Sequence, residues 1–219
     1  MEEIKLYEGK ETLFFDPIPH EYFWNDEKLP SATTITKLLT PAAAIGNWTA
    51  KMCAEEFKKL IKAGVSYDEI ELIKYYDQIK KSANANMSSA GLVGGEVHNL
   101  IETYIHTGQV VEVHNEEMKK SFNKFTGTLD ALFKNKDGQY IIYDWKTSSG
   151  IRDSYYVQIY LYALAIEEEL QIKIPKGVIV NCTKEGKLRI AEFDIDSDNH
   201  DTALSCLKLY RYLNKKEKK

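Results

Sequence analysis

The hydrophobic and polar positions change period several times along the chain, and each change marks an element. Residues 12–30 alternate in short runs: Thr-Leu-Phe-Phe, a turn at Asp16–Pro19, Glu-Tyr-Phe-Trp, and a turn at Asn25–Lys28. This predicts a small hairpin. Pro30 ends it, Ser31 is placed to cap a short helix Ala32–Leu39, and Pro41 stops that helix. Helical spacing of Trp48, Met52, Phe57 and Leu60 predicts a helix over Asn47–Ala63, and that of Ile70, Leu72, Ile73, Tyr76 and Ile79 a second over Tyr67–Ser82, with Gly64 between them. The polar run Ser82–Ser89 reads as a loop, either a mobile clamp or a plain connector, loosened further by Gly91, Gly94 and Gly95. A helix from Leu92 to Thr107 buries Val93, Val97, Leu100, Ile101, Tyr104 and Ile105, and Glu116–Phe125 reads as a short helix.

Period two then takes over. Thr126–Lys134 and Gln139–Lys146 are rich in Thr, Leu, Phe, Ile and Tyr, with the turn Asn-Lys-Asp-Gly between them. A helix over Asp153–Leu170 with Asp153 as its cap follows, then a hairpin of Lys176–Thr183 and Lys187–Asp194 about Glu185-Gly186. A helix over Asp198–Asn214, bearing Leu204, Leu207, Leu209, Tyr210 and Leu213, closes the chain. This order is an α/β sandwich on a central mixed sheet. At 219 residues it reads as one domain: residues 1–45 a hairpin and short helix, 46–90 a helical insertion, 91–219 the core.

The central hairpin carries the chemistry. With Gly138 left-handed in a three-residue loop, Asn135 faces Gln139, and the antiparallel ladder sets Asp130 opposite Asp144. Asp144 and Lys146 share a face with it. Directly opposed carboxylates repel, so their pairing calls for a cation between them, with Lys146 as a donor beside it. Taken alone, the same residues also fit an Asp130–Lys146 ion pair on a solvated face. On the Leu92–Thr107 helix, His98 and Glu102 stack one turn apart, with His106 continuing the row. A histidine there is either structural or a ligand.

Composition removes other classes. The start of the chain is polar from its second residue, and no apolar run approaches the ~20 residues that span a bilayer, which suggests a cytoplasmic protein without a signal peptide. Cys53, Cys182 and Cys206 are too few and too scattered for a disulfide framework or a four-cysteine iron–sulfur cluster. The net charge of −4 does not advertise a nucleic-acid binder, although basic residues gather at Lys58–Lys62 and in the terminal tail.

Four motifs in order, Gly-Glu-Val-His ending at His98, Gly-Thr-Leu-Asp ending at Asp130, Asp-Trp-Lys-Thr from Asp144, and Gln-Ile-Tyr-Leu-Tyr from Gln158 to Tyr162, resemble the PD-(D/E)XK nuclease superfamily in its RecB-like exonuclease branch. The likeness extends to His-Glu-Tyr-Phe-Trp and Leu-Pro-Ser-Ala-Thr-Thr-Ile, similar to the opening segment of phage and mitochondrial genome maintenance exonucleases of that group. It implies a restriction-endonuclease-like core and phosphodiester hydrolysis with Mg²⁺ or Mn²⁺. The implied metal ligands are His98, Asp130, Asp144 and the backbone carbonyl of Trp145, with Glu102 as a further candidate. Lys146 would be catalytic, and Gln158 and Tyr162 would orient it. Ser31, Thr147, Ser148 and Arg152 are candidate nucleic-acid contacts, Ser31 being equally a plain helix cap. The implied substrate is DNA, single-stranded or at double-stranded ends, in phage or bacterial recombination, repair or processing, with room for a recombination partner protein and none for a membrane. A structure-specific or nicking endonuclease, or an idle DNA- or partner-binding module, are the alternatives. Two departures are Leu129, where the family has proline, and Asp144 in place of the longer glutamate.

Overall fold

The computed structural model describes residues 1–40, 42–82, 84–86, 113–115, 118–121, 125–183 and 185–216. The chain divides into two compact units, Met1–Leu39 with Leu100–Lys219, and Thr40–Asn99.

The larger unit opens with a four-stranded antiparallel meander, β1 (Glu2–Leu6), β2 (Glu11–Asp16), β3 (Glu21–Trp24) and β4 (Glu27–Leu29). The expected hairpin is therefore two strands short. Asn25 and Asp26, with φ of 47° and 61°, form the tight turn between β3 and β4, a conformation these short polar side chains tolerate. Leu6, Leu13, Phe15, Tyr22 and Leu29 give the meander its own small core. Ser31 caps α1 (Ala32–Thr36) as expected, its hydroxyl accepting the Thr34 N–H at 3.1 Å, and the helix ends in a 3₁₀ turn at Lys37–Leu39.

A five-stranded mixed sheet follows, in the order β11 (Leu188–Asp194), β10 (Lys176–Cys182), β9 (Tyr140–Lys146), β8 (Ala131–Lys134), β5 (Val113–Asn115). Only β9 and β10 run parallel; the other pairs are antiparallel. The parallel pair is connected through α4 (Asp153–Leu170), which packs its Val157, Ile159, Leu161 and Ile166 into the main core with α5 (Ser197–Lys216) alongside. Arg152, not Asp153, occupies the cap position of α4. Asp153 is instead the first helical residue, where its charge faces the positive end of the helix.

Two further expectations are corrected. Met118–Ser121 (β6) is a strand paired antiparallel with β7 (Phe125–Thr128), where a helix over Glu116–Phe125 was expected. The run Glu-Glu-Met-Lys-Lys favours a helix locally, and pairing with β7 overrides it. The predicted strand Thr126–Lys134 is two strands, β7 and β8, broken at Leu129 and Asp130. Leu129 is buried there, while the bend turns the Asp130 side chain back to accept a backbone N–H that a continuous ladder would pair with backbone.

The smaller unit holds α2 (Ala42–Leu60), which starts five residues before the predicted position, and a helix α3 over 69–82 and 84–86. Cys53 Sγ and Glu56 Oε1 on α2 bond to the Ile79 carbonyl and Gln78 Nε2 on α3. Residues 84–86, expected in a loop, are helical. Ile70, Ile73 and Tyr76 of the predicted apolar side are exposed. None of the described helices is long and apolar enough to cross a membrane.

Candidate active site

The register of the β8–β9 hairpin sets the site. Asn135 N–H bonds to the Gln139 carbonyl at 2.9 Å, Gly138 takes φ +80°, and the ladder runs Lys134↔Tyr140 to Ala131↔Tyr143. The ladder stops there, and Asp130 lies in the bend just before β8, outside the paired strand. Asp130 is half-buried and its Oδ2 accepts the Trp145 N–H at 2.7 Å. Within a strand, the N–H and C=O of one residue point to the same side. The Trp145 carbonyl therefore leans toward Asp130, past the end of the backbone ladder.

Asp144 is 1% exposed, on the sheet face that α4 covers. Lys146 Nζ stands 2.5 Å from its Oδ2, close enough for an ion pair though not aligned as a hydrogen bond, and Oδ1 receives no hydrogen bond among the described residues. The ion pair thus lies within β9, between a half-buried lysine and a buried carboxylate, rather than across to Asp130 on a solvated face. Burial pulls the Lys146 pKa down, but the carboxylates of Asp144 and Asp130 outweigh it and hold the pKa above the usual lysine value. At neutral pH the side chain is an ammonium, a cation and donor rather than a base.

Gln158 and Tyr162, one turn apart on α4, complete the cluster from the helix side. Gln158 Nε2 donates to Tyr162 Oη at 2.7 Å and to Thr33 Oγ1 of α1 at 3.2 Å. Tyr162 is buried, and burial followed by the fields of Asp144 and Asp130 holds its pKa well above the ordinary value, so it keeps its hydroxyl proton. Gly127 on β7 makes room for it: a Cβ there would lie 2.6 Å from Tyr162 Cε1. Tyr22 Oη, from the meander, lies 3.2 Å from Thr128 Oγ1 on the same strand.

Other expected residues are less central. The Ser31 hydroxyl is taken up by the cap and by Thr34 Oγ1 at 2.9 Å. Ser148 is tied to Asn181: its N–H donates to Asn181 Oδ1 at 3.2 Å, and its carbonyl accepts from Asn181 Nδ2 at 3.1 Å. Thr147 is half-buried beside it, and Arg152 is exposed at the start of α4. His98 and Glu102 lie outside the described residues. Thr33, Tyr155 and Asn181 were not anticipated. Only Thr33, within the Ser-Ala-Thr-Thr-Ile segment, carried a sequence signal.

The donor set suits a hard divalent cation. Burying a carboxylate whose Oδ1 receives no hydrogen bond among the described residues is costly unless a cation is to share it, and the Asp130 carboxylate is close enough to act on the same Lys146 ammonium. Among the described residues no three His, Cys, Asp or Glu side chains gather as a ready metal cluster. Further ligands on this chain would come from backbone or from residues outside that set.

A family model for the PD-(D/E)XK nuclease superfamily matches residues 87–208, more than half of the chain. No curated protein matches. Similar solved structures include SSO0001 (16% identity, 78% of this chain and 87% of that one, TM-score 0.45). They also include LHK-Exo in complex with dAMP (12%, 86% and 89%, TM-score 0.48). An alkaline exonuclease, LHK-Exo from Laribacter hongkongensis, matches at 13% identity over 85% of this chain and 92% of that one, with TM-score 0.40. The family match spans β8 with the bend before it, β9 and α4, which hold Asp130, Asp144, the lysine and the Gln-x-x-x-Tyr pair, and it makes this chain a nuclease of the PD-(D/E)XK superfamily.

Proposed function

We propose that this chain is a divalent-metal-dependent deoxyribonuclease that degrades DNA from its ends. The observation that carries this reading is the buried Asp144 carboxylate, short of donors among the described residues, beside an ammonium on which Asp130 acts as well. Asp130, Asp144 and the Trp145 carbonyl would hold Mg²⁺ or Mn²⁺, with His98 and Glu102 as the further ligands that the motif order suggests. When bound, such an ion supplies Lewis acidity at a phosphodiester oxygen and lowers the pKa of bound water.

The chain's own groups do the rest. Asp130 fixes the end of β9 by holding the Trp145 N–H, so both carboxylates keep their relative position. Lys146, kept protonated by its neighbours, offers N–H donors and a positive charge to a phosphate oxygen on which negative charge grows. Gln158 joins α4 to α1 through Thr33 and holds the Tyr162 hydroxyl, so helix and strand meet the substrate as one rigid frame. Tyr162 remains a neutral donor there.

The preference for ends is supported by the motif order of the RecB-like branch. The test is digestion of one DNA sequence in linear and in covalently closed circular form, with Mg²⁺ and then Mn²⁺. Progressive loss of the linear form with the circle intact is expected. Cutting of the circle would instead make the protein an endonuclease, and inertness toward both forms with either ion would overturn the reading.

A further inference from the structure

Lys146 is held by two neighbours, and only one of them competes with a bound cation. Its ammonium lies 2.5 Å from Asp144 Oδ2 and, on another side, 5.4 Å from the centroid of the Tyr155 ring, over its face. That spacing is within the range in which a ring's negative face attracts a cation. Tyr155 belongs to the first turn of α4, where its N–H bonds to the Arg152 carbonyl at 3.0 Å, and its ring packs half-buried against the main core. It is thus fixed independently of the lysine.

The two holds respond differently to metal. A divalent ion on Asp144 takes over that carboxylate's field and repels the ammonium at the same time, so the ion pair weakens as the site fills. The Tyr155 ring carries no net charge and offers the metal no ligand on its face, so its attraction for the ammonium persists.

We propose that Tyr155 is a positioning residue for Lys146, its ring face keeping the ammonium at the site once Asp144 serves the cation. The proposal rests on the nuclease reading above. It requires the ring and not the hydroxyl, and it requires the ring's electrons and not only its shape.

Three replacements separate these requirements: Tyr155→Phe, Tyr155→Leu, and a trifluorinated phenylalanine at position 155 that keeps the ring's outline and drains its face. The first readout is the side-chain ε-methylene resonance of Lys146 in the Mg²⁺-saturated full chain, identified by its loss in Lys146→Met. It is expected upfield, under the ring current, in the wild type and in Tyr155→Phe, and among the bulk lysines in Tyr155→Leu.

The second readout is single-turnover cleavage of linear DNA. Tyr155→Phe should stay within about threefold of wild type, and Tyr155→Leu should fall by roughly thirtyfold, the factor that a desolvated ring–cation contact corresponds to. The trifluorinated residue should fall between the two. DNA affinity should be unchanged in all three.

An unshifted Lys146 resonance in the wild type overturns the proposal. So does cleavage by the trifluorinated protein at the rate of Tyr155→Phe. Should Tyr155→Leu not fold, the trifluorinated protein alone decides the rate comparison. A wild type that cleaves nothing defeats the nuclease reading instead, and the resonance then decides whether the ring holds the lysine.

Discussion

Gly127→Ala is a one-methyl change that strikes the site through packing alone. The added Cβ would lie 2.6 Å from Tyr162 Cε1 and 3.4 Å from the Ala32 Cβ. Carbon atoms rest at about 3.5–4.0 Å, so the ring has to retreat by roughly 1 Å. Tyr162 is poorly able to do so, because it is 3% exposed and its hydroxyl is held by Gln158 at 2.7 Å. Overpacking of this kind costs about 1–3 kcal/mol. Replacing glycine by alanine in a strand returns roughly 0.5–1 kcal/mol of backbone entropy. Taking the middle of each range, the net loss is about 1 kcal/mol, or a melting temperature lower by about 2–4 °C for a chain of this length.

Thermal melts of the single variant and of double variants test this. In a Tyr162→Leu background the methyl has space, and Gly127→Ala should cost almost nothing. In a Tyr162→Phe background the ring edge remains, and the cost should persist. Equal destabilisation in all three backgrounds would refute the argument, as would none in the wild type. Because the displaced ring carries Gln158 with it, cleavage should also fall by up to about a hundredfold, the usual consequence of a 1 Å misplacement near reacting groups.

The remaining predictions concern charge. Asp130→Asn keeps an oxygen for the Trp145 N–H, so the metal-free melting temperature should change little, while the rise on adding Mn²⁺ should vanish; a metal-free protein that fails to fold would make Asp130 structural. His98→Ala should weaken Mn²⁺ binding in calorimetry and flatten its decline as pH falls through about 6.5, whereas His106→Ala should do neither; a wild-type titration of His98→Ala would remove that histidine from the ligand set. At alkaline pH the sign follows from raised pKa values. Burial, then Glu168, raise Tyr7, and Tyr160 and Tyr162 are raised as well, so the stability they contribute is complete below their unfolded value of about 10 and is lost as pH rises beyond it. Melts from pH 8 to about 11 should fall most steeply above 10, and less steeply in Tyr7→Phe; an unchanged slope in that variant would exclude Tyr7 as a contributor.

Much of the site was legible because one turn determines it. Asn-Lys-Asp-Gly sets the loop, the loop sets the register, and the register brings the end of β9 beside the bend that carries Asp130. What lay beyond was tertiary. The break at Leu129–Asp130 depends on a side chain replacing a backbone partner, which no local propensity encodes. Lys146 pairs with Asp144 while the Asp130 carboxylate is turned to the Trp145 N–H, a choice set by the bend before β8. Which of Tyr155 and Tyr156 lies beneath the lysine depends on the rotation of α4, and Thr33 reaches Gln158 from 125 residues away. Strand β1 went unseen since Ile4 and Leu6 alternate within a run of charges that reads as a solvated end.

The central claim is that Asp130, Asp144 and Lys146 form a cation-dependent centre for phosphodiester cleavage. Its most direct test is the rate of linear-DNA cleavage across a Mg²⁺ titration for the wild type, Asp144→Asn and Lys146→Ala, each first shown to melt cooperatively. The wild type should be inactive without the ion and active with it. Both variants should fall by at least about 10²–10³-fold at saturating Mg²⁺, Lys146→Ala while still binding metal and DNA. Cleavage by Asp144→Asn within a few-fold of wild type, or wild-type cleavage indifferent to the ion, would contradict the account.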